Sequence, residues 1–377
     1  MKGLGDVTVR VEASSEIGIG HLRRCVTLMR QLRIDGFNVR LIGAQRFGEA
    51  IETLVEDMPV FWLDDRESGI DRKQYSGNEV WDAEATLSLI GRYPEGSSLV
   101  AVDHCRLGEQ WERIIREAGH RVLAIDDFRD RRHCADILVG DSAAPFDPLL
   151  NSYTGKAQVL VGADFALVDP EFAFSEQVPS SADSRKRLLV SYGGADPTDE
   201  TTKALEAIRL LRRDRRCSEW LGRVDVVVGH ANLRAAEVIG LAQGIEDVIV
   251  HIAPGSLAPL MRKTDVFLTA GGNSMIEALT MQKPCLVTLT SDNQTLMVDQ
   301  LLEQRAILSL GNHAMVSPRD VAKAMTKLLS DYEQFANDIR IRPIFDHFGA
   351  RRISAAIQLI PKNKASDHEY SGIVWNS

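Results

Sequence analysis

Short apolar runs rich in β-branched residues alternate along the chain with stretches in which apolar positions recur every three or four residues. The runs are typical of strands buried on both faces of a parallel sheet, and the recurring pattern is that of amphipathic helices. Strands are predicted at Val7–Val11, Val39–Ile42, Val60–Leu63, Leu99–Val102 and Val122–Ile125. The helical pattern is clearest over His21–Leu32 and Trp111–Ala118. This alternation predicts βαβ units and hence a parallel sheet.

The alternation stops at Phe174–Arg187, where Pro, Ser and charged residues cluster without a period. A second series then predicts strands at Leu188–Ser191, Val224–Val228, Val248–Ile252, Val266–Thr269, Cys285–Leu289 and Ile307–Leu310. Helices are predicted between them at Glu200–Leu211, Leu233–Leu241, Ser274–Leu279, Leu296–Leu302 and Pro318–Leu329. We therefore expect a Rossmann-like domain at 1–173, a linker at 174–187, a second Rossmann-like domain at 188–361 and a polar tail at 362–377. Two such domains form a cleft, and ligands bind at the carboxyl ends of the strands.

Bulk composition narrows the classes of function. The 377-residue chain has a formal net charge of −9 and a pI of about 5.6, which argues against a broad basic face for nucleic acid but leaves room for a local nucleotide site. No apolar run approaches the roughly 18 residues that a membrane span needs, and the N-terminus lacks the apolar core of a signal peptide. The five cysteines are odd in number and scattered, which predicts reduced thiols. A cytoplasmic protein without membrane insertion is expected.

The loop after the first strand, Glu12–His21, contains Gly18 and Gly20 and leads into a helix. Backbone amides at such a helix start suit a phosphate or a developing negative charge. Arg23 occupies the place of the third glycine in a dinucleotide fingerprint, and no acidic residue ends the second strand, so the pattern does not predict NAD. His21 at the helix start either accepts a proton from water or caps and packs on the loop.

The second series carries two similar loops. Tyr192-Gly193-Gly194 follows a strand and precedes a helix, as does the small-residue loop Ala270–Ser274. The latter would cradle a diphosphate, and Glu277 one turn later can accept hydrogen bonds from a ribose diol. Asn273 or Ser274 capping the helix is an alternative that is compatible with this role.

Two further clusters contain metal-ligand residue types. Asp103-His104-Cys105 ends the fourth strand, and Asp126-Asp127 ends the fifth, shortly before His133 and Cys134. Their spacing matches no metal motif, so no metal site is predicted. Asp127 with Arg129, Arg131 and Arg132 indicates a charged surface loop or a hinge salt bridge.

Taken together, six segments resemble the UDP-sugar hydrolases of pseudaminic acid biosynthesis, which cleave UDP-2,4-diacetamido-2,4,6-trideoxy-β-L-altropyranose. The first segment comprises Glu12, Ser14, Ser15, Ile17, Gly18, Gly20, His21, Arg24 and Cys25. The others are Val102-Asp103-His104, Ile125-Asp126-Asp127, Ala166-Leu167-x-x-Pro170-Glu171-Phe172, Ser191-Tyr192-Gly193-Gly194-Ala195-Asp196-Pro197 and Asp292-Asn293-Gln294. The segments occur in the family's order and cover nearly the whole chain.

The resemblance implies a glycosyltransferase-B fold and an inverting hydrolysis at the anomeric carbon that needs no metal or cofactor. It assigns water activation to His21, a catalytic role at the sugar to Asn293 and a ribose contact to Glu277. The expected substrate-binding residues are Glu12, Ser14, Gly18, Gly20, Arg24, Asp103, Cys105, Tyr192 and Gln294. The expected UDP-binding residues are Gly193, Gly194, Ala253, Gly272, Asn273, Ser274 and Glu277.

Two positions depart from the family. Cys105 stands where the family usually has a tyrosine, and Glu12 where it usually has an aspartate. The first departure leaves the exact sugar open. Two alternatives therefore remain: a metal-independent glycosyltransferase that uses a UDP-sugar donor, and a UDP-sugar-binding protein with impaired catalysis. In each case the expected partner is a UDP-linked sugar, bound by a monomer or weak dimer.

Overall fold

The computed structural model describes residues 4–12, 20–44, 53–63, 78–92, 98–127, 131–141, 157–174, 185–214 and 219–360. Contacts divide the chain into two compact units. The first unit is Met1–Leu167 together with Phe348–Ser377, and the second is Val168–His347. Within the described ranges, no helix has the length and apolar character needed to cross a membrane.

The first unit is built on a parallel sheet in the order β3-β2-β1-β4-β5-β6-β7. Its strands are β1 (Asp6–Val11), β2 (Asn38–Gly43), β3 (Val60–Trp62), β4 (Leu99–Asp103), β5 (Arg121–Ile125), β6 (Ile137–Gly140) and β7 (Gln158–Val161). The described helices that follow β1, β3 and β4 are α1 (Gly20–Ile34), α2 (Glu79–Gly91) and α3 (Glu109–Glu117). The order places β1 and β4 at the centre, with helices on both faces.

A buried ion pair joins this sheet to α2. Arg10 in β1 is 1 % exposed and donates to both carboxylate oxygens of Asp82, with the shorter contact at 2.6 Å. Trp111 Nε1 donates to the same carboxylate at 2.8 Å. Because the charges are paired and hydrogen-bonded, they are tolerated inside an otherwise apolar layer.

The second unit has a parallel sheet in the order β10-β9-β8-β11-β12-β13. Its strands are β8 (Lys186–Ser191), β9 (Leu221–Val228), β10 (Val248–Ile252), β11 (Val266–Ala270), β12 (Cys285–Leu289) and β13 (Ile307–Asn312). Its described helices are α4 (Glu200–Arg213), α5 (Ala235–Gln243), α6 (Ala258–Met261), α7 (Asn273–Thr280), α8 (Thr295–Glu303), α9 (Pro318–Ser330) and α10 (Tyr332–Ile341).

The last described helix, α11 (Gly349–Leu359), returns to the first unit. It packs against α1, with Ile353 and Ile357 buried in the same core as β1. A Cβ at Gly349 would lie 2.1 Å from the carbonyl oxygen of Ala166, so only glycine permits this close approach. From its sequence this segment is expected in the second domain, at 188–361; the apolar face of α11 instead completes the core of the first unit.

The predicted strands and helices are all present, with ends that agree or shift by up to three residues. Strands β6 and β7 are not among the predictions. Each has four residues, too few for a periodic pattern to stand out from neighbouring loops. The linker prediction overlaps the start of β8, and residues 175–184 lie outside the described ranges.

Candidate functional site

The carboxyl ends of four neighbouring strands in the first unit carry polar residues. Glu12 follows β1, Asp103 ends β4, Asp127 follows the end of β5, and Asp141 follows β6. Parallel strands place these ends on one edge of the sheet. The N-terminus of α1 lies at the same edge, because α1 follows β1 in a βαβ unit.

His21, in the first turn of α1, is held by Asp103. Its Nδ1 lies 2.6 Å from Asp103 Oδ1, and its side chain is 18 % exposed while that of Asp103 is 1 % exposed. The carboxylate therefore accepts a hydrogen bond from Nδ1–H, so that in the neutral ring Nε2 is the basic nitrogen. Attraction by Asp103 raises the pKa of His21 to about 10, against the opposing effects of burial and of Arg24.

Arg24, one turn later on α1, lies among three aspartates. It donates to Asp103 from Nε at 2.6 Å and from Nη2 at 2.7 Å, and it also pairs with Asp127. Asp141 Oδ2 is 4.0 Å from Nη1. Arg24 and His21 hold the pKa of Asp103 well below its usual range despite burial. Burial, together with repulsion from Asp127, raises the pKa of Asp141 well above normal.

The residues after Asp103 form a tight turn beside the imidazole. His104 Nδ1 accepts from the backbone amides of Arg106 at 3.0 Å and Leu107 at 3.3 Å. Burial, reinforced by the nearby Arg10 charge, lowers the pKa of His104 to about 3, so this ring is neutral, and its Nε2 lies 3.1 Å from Glu12 Oε2. Cys105 Sγ is 3.7 Å from Nε2 of His21. Thus Cys105, where the hydrolases that the sequence resembles usually have a tyrosine, lies beside the ring of His21.

In the second unit, the small-residue loop after β11 is shaped by close packing. A Cβ at Gly271 would lie 2.6 Å from Val298 Cγ2, which makes glycine necessary. Gly272 is the N-cap of α7 and has no side chain with which to cap it. Gln294 Oε1 accepts from the amides of Gly271 at 3.2 Å and Thr290 at 3.0 Å. Gln294, which the resemblance places on the substrate, therefore ties the loops after β11 and β12 together.

The loop after β8 is also held by its own side chains. Gly193 has a φ of 81°, a left-handed conformation that glycine adopts readily. Asp196 accepts from the amides of Glu200 and Thr201, each at 2.9 Å, and so caps α4. Tyr192 is 6 % exposed and its hydroxyl lies 3.3 Å from Thr288 Oγ1 in the core. We therefore do not assign Tyr192 to the substrate.

The remaining predicted residues are found at the same sheet edges. Asn293 is exposed after β12, where its side chain contacts the Ser291 hydroxyl. Ala253 is exposed after β10 with a φ of 42°, which an alanine rarely adopts. Gly194, Asn273, Ser274 and Glu277 are each partly buried around the starts of α4 and α7. Gly20 begins α1, and Ser14 and Gly18 lie outside the described residues.

The sequence pattern does not indicate Asp141, and Arg131 lies in an ion pair with a different aspartate from the one expected. Asp141 was missed because strand β6, which delivers it to the edge, was not predicted. Arg131, expected on a charged surface loop or in a hinge salt bridge, is 16 % exposed and pairs with Asp126 at 3.1 Å. Among the described residues, no group of three or more His, Cys, Asp or Glu side chains is arranged to hold a metal ion.

The chain has distant sequence relatives among known proteins. The chain is 25 % identical over 207 residues to the spore coat polysaccharide biosynthesis protein SpsG of Bacillus subtilis, covering 54 % of this chain and 59 % of the relative. It is 23 % identical over 192 residues to the UDP-2,4-diacetamido-2,4,6-trideoxy-beta-L-altropyranose hydrolase of Campylobacter jejuni, covering 50 % and 61 %. The matches thus span about three fifths of these relatives. No family model matches the chain.

Among solved structures, Acinetobacter baumannii MurG superposes with a TM-score of 0.65 at 13 % identity, over 94 % of this chain and all of that one. Arabidopsis thaliana UGT89C1 complexed with UDP-L-rhamnose gives 0.64 at 11 % identity, over 94 % and 99 %. The predicted fold class is confirmed: the chain has the glycosyltransferase-B fold, with two parallel-sheet α/β domains. Two of its distant sequence relatives are thus, by name, a spore coat polysaccharide biosynthesis protein and a UDP-sugar hydrolase.

Proposed function

We propose that this chain hydrolyses a UDP-linked 2,4-diacetamido-2,4,6-trideoxy sugar, or a close relative, with inversion at C1. The observation that carries the proposal is the His21–Asp103 pair at 2.6 Å, on a fold whose neighbours include a UDP-sugar complex. The relationship to the Campylobacter jejuni hydrolase supports the choice of sugar.

In the proposed reaction, Nε2 of His21 takes a proton from water while the water oxygen attacks C1 of the sugar. The C1–O bond breaks, and its electron pair leaves with UDP. Asp103 stabilises the imidazolium that forms, since it already accepts a hydrogen bond from Nδ1–H. Arg24 keeps Asp103 ionised, because it donates twice to that carboxylate.

The nucleotide is assigned to the second unit. The amides at the start of α7 are the proposed donors for the diphosphate, since the N-cap residue, Gly272, has no side chain to cap them. Glu277 is the proposed partner of the ribose diol. Ala253, Gly193, Gly194, Asn273 and Ser274 complete the proposed UDP site, and Asn293 the sugar site.

The test is to incubate the protein with a panel of UDP-2,4-diacetamido-trideoxy sugars and follow products by NMR. Free sugar of inverted anomeric configuration, together with UDP, is expected, and addition of EDTA should not change the rate. Turnover that requires an added sugar acceptor would show a transferase. Binding of the panel without turnover would show an impaired UDP-sugar-binding protein.

A further inference from the structure

A second network of charged residues lies behind the turn that carries Cys105. It consists of Glu112 on α3, His133, Asp126 at the end of β5, and Arg131. Glu112 is fully buried, while Asp126 and His133 are 4 % and 6 % exposed. The proposed hydrolysis uses none of the four.

The contacts run in a line from one residue to the next. Glu112 Oε1 lies 2.5 Å from His133 Nδ1, and His133 Nε2 lies 3.0 Å from Asp126 Oδ2. The other oxygen of Asp126 is 3.1 Å from Arg131 Nη2. Hydrogen bonds that the His133 ring donates to both carboxylates raise its pKa to about 9, although burial opposes the charge. Charges therefore alternate along the line and cancel, which makes four buried ionic groups tolerable.

Arg131, the last residue of the network, hydrogen-bonds to the backbone of the turn that carries Cys105. Arg131 donates from Nη2 to the carbonyl of His104 at 2.9 Å, from Nη1 to that of Cys105 at 3.3 Å and from Nε to that of Leu107 at 3.0 Å. All three nitrogens of one planar guanidinium thus donate to carbonyls of one turn. A lysine cannot reproduce this, because its ammonium is a compact donor without the planar fork.

We propose that Arg131 is a positioning residue for the reaction: it holds the His104–Leu107 turn so that Cys105 lies against His21. The line from Glu112 through His133 to Asp126 fixes Arg131 in turn. This inference rests on the proposed function for its catalytic consequence, but the positioning itself is a property of the first unit alone.

The test compares Arg131→Lys with Arg132→Lys, which makes the same change at the exposed neighbouring residue. For Arg131→Lys we expect kcat to fall at least about tenfold, since displacement of a site by about 1 Å costs on the order of 100-fold. KM and calorimetric UDP affinity should stay near the parent values, because the nucleotide is assigned to the second unit. Arg132→Lys should behave as the parent.

Hydrogen exchange followed by mass spectrometry separates positioning from a loss of stability. In Arg131→Lys, faster exchange should be confined to the peptide that covers residues 104–108, with β1 and β4 protected as in the parent. If Arg131→Lys fails to fold, Asp126→Asn, which removes the ion pair at nearly constant volume, should give the same local pattern.

Parental kcat and parental exchange at residues 104–108 in Arg131→Lys would overturn the inference, as would uniformly faster exchange across the first unit. If the parent hydrolyses no sugar of the panel, the proposed function fails. The exchange pattern at residues 104–108 would still decide whether Arg131 positions the turn.

Discussion

Asp103 contacts three side chains, and each contact alters the others. It accepts from His21, from Arg24 and, at 3.5 Å, from the thiol of Cys25. The carboxylate raises the pKa of His21, whereas Arg24 lowers it. The strength of the proposed base is therefore set by a buried triplet of charges and not by the histidine alone.

Replacement of the ring tests its role directly. His21→Asn keeps approximate size and some hydrogen bonding but removes the basic nitrogen. We expect turnover to fall at least about 100-fold, the low end for loss of a general base, with UDP affinity by calorimetry little changed. Turnover within a few-fold of the parent would leave His21 as a packing residue of α1.

The pH dependence tests the protonation state. With its pKa raised to about 10, mainly by the Asp103 carboxylate, His21 is largely charged at neutral pH in the free protein. Because a base must be neutral, kcat/KM should rise about tenfold per pH unit through the neutral range and level off near the pKa of His21. A rate that falls as pH rises through that pKa would instead show an acidic imidazolium. His21→Asn should lose this dependence.

Cys105 is the position at which substrate preference is expected to change. A thiol in place of a phenol leaves space of about one ring and removes a strong donor and acceptor. Since Tyr192 has its hydroxyl in the core of the second unit, it does not replace the missing phenol there. We expect Cys105→Tyr to shift kcat/KM toward the altropyranose substrate and to lower activity on the native sugar.

The decisive measurement for this position is the ratio of kcat/KM values for the two sugars in parent and variant. Efficient hydrolysis of the altropyranose substrate by the parent, with the same ratio in Cys105→Tyr, would show that Cys105 does not set specificity. Cys134→Ala is the matched control, because Cys134 is a half-buried thiol that hydrogen-bonds to Glu109 and not to His21.

At the scale of elements, the start of α7 depends on contacts from the next loop. Gly271 packs against Val298 of α8, and its amide is bound by Gln294. The contacts of Gly271 thus fix the loop before α7, while the N-cap residue, Gly272, has no side chain to cap the helix. This arrangement supports an anion site, because an N-terminus presents amides and a positive dipole end.

Glu277, on the same helix, provides the test of nucleotide binding. Glu277→Ala should weaken UDP by about 1–3 kcal/mol, the range for losing a charged hydrogen-bond partner. Calorimetry with UDP and ADP measures the loss and the base preference. Glu303→Ala, an exposed carboxylate on α8, should bind UDP as the parent does. Unchanged affinity in Glu277→Ala, or equal binding of ADP, would refute the assignment.

At the scale of the whole molecule, the first unit is assembled from both ends of the described chain. Helix α11 brings Ile353, which is fully buried, into the core beside β1 and α1. Ser354 adds a hydrogen bond of 2.6 Å to Asp35. Integrity of the first unit therefore depends on residues that follow the second unit in sequence.

Ile353→Ala tests this dependence. Removal of a buried isoleucine side chain should destabilise the first unit by about 2–5 kcal/mol. Hydrogen exchange under mild denaturant should accelerate in β1 peptides while β8 peptides stay protected. Gln358→Ala, at an exposed position of the same helix, is the control. Equal acceleration in both sheets would show that the two units unfold together.

Much of the fold, and the position of several site loops, could be predicted from the sequence alone. Alternating β-branched runs and helical periods were enough to predict two parallel α/β units, because buried parallel strands and amphipathic helices leave different apolar periods. The glycine loops and His21 could be located for a related reason: they directly follow predicted strands, and the carboxyl ends of parallel strands share one edge.

What only the tertiary structure decided are the contacts between segments distant in sequence. The local pattern of apolar and polar residues cannot show that α11 packs in the first unit. Nor can it show that Gln294 hydrogen-bonds to neighbouring loops or that the Tyr192 side chain is buried in the core. Nor can it show that Arg131 reaches the turn at Cys105, which lies 26 positions away in sequence. Such contacts depend on which helices and strands pack together. The packing is decided by how the apolar faces of all the elements are buried jointly, so no single segment determines it.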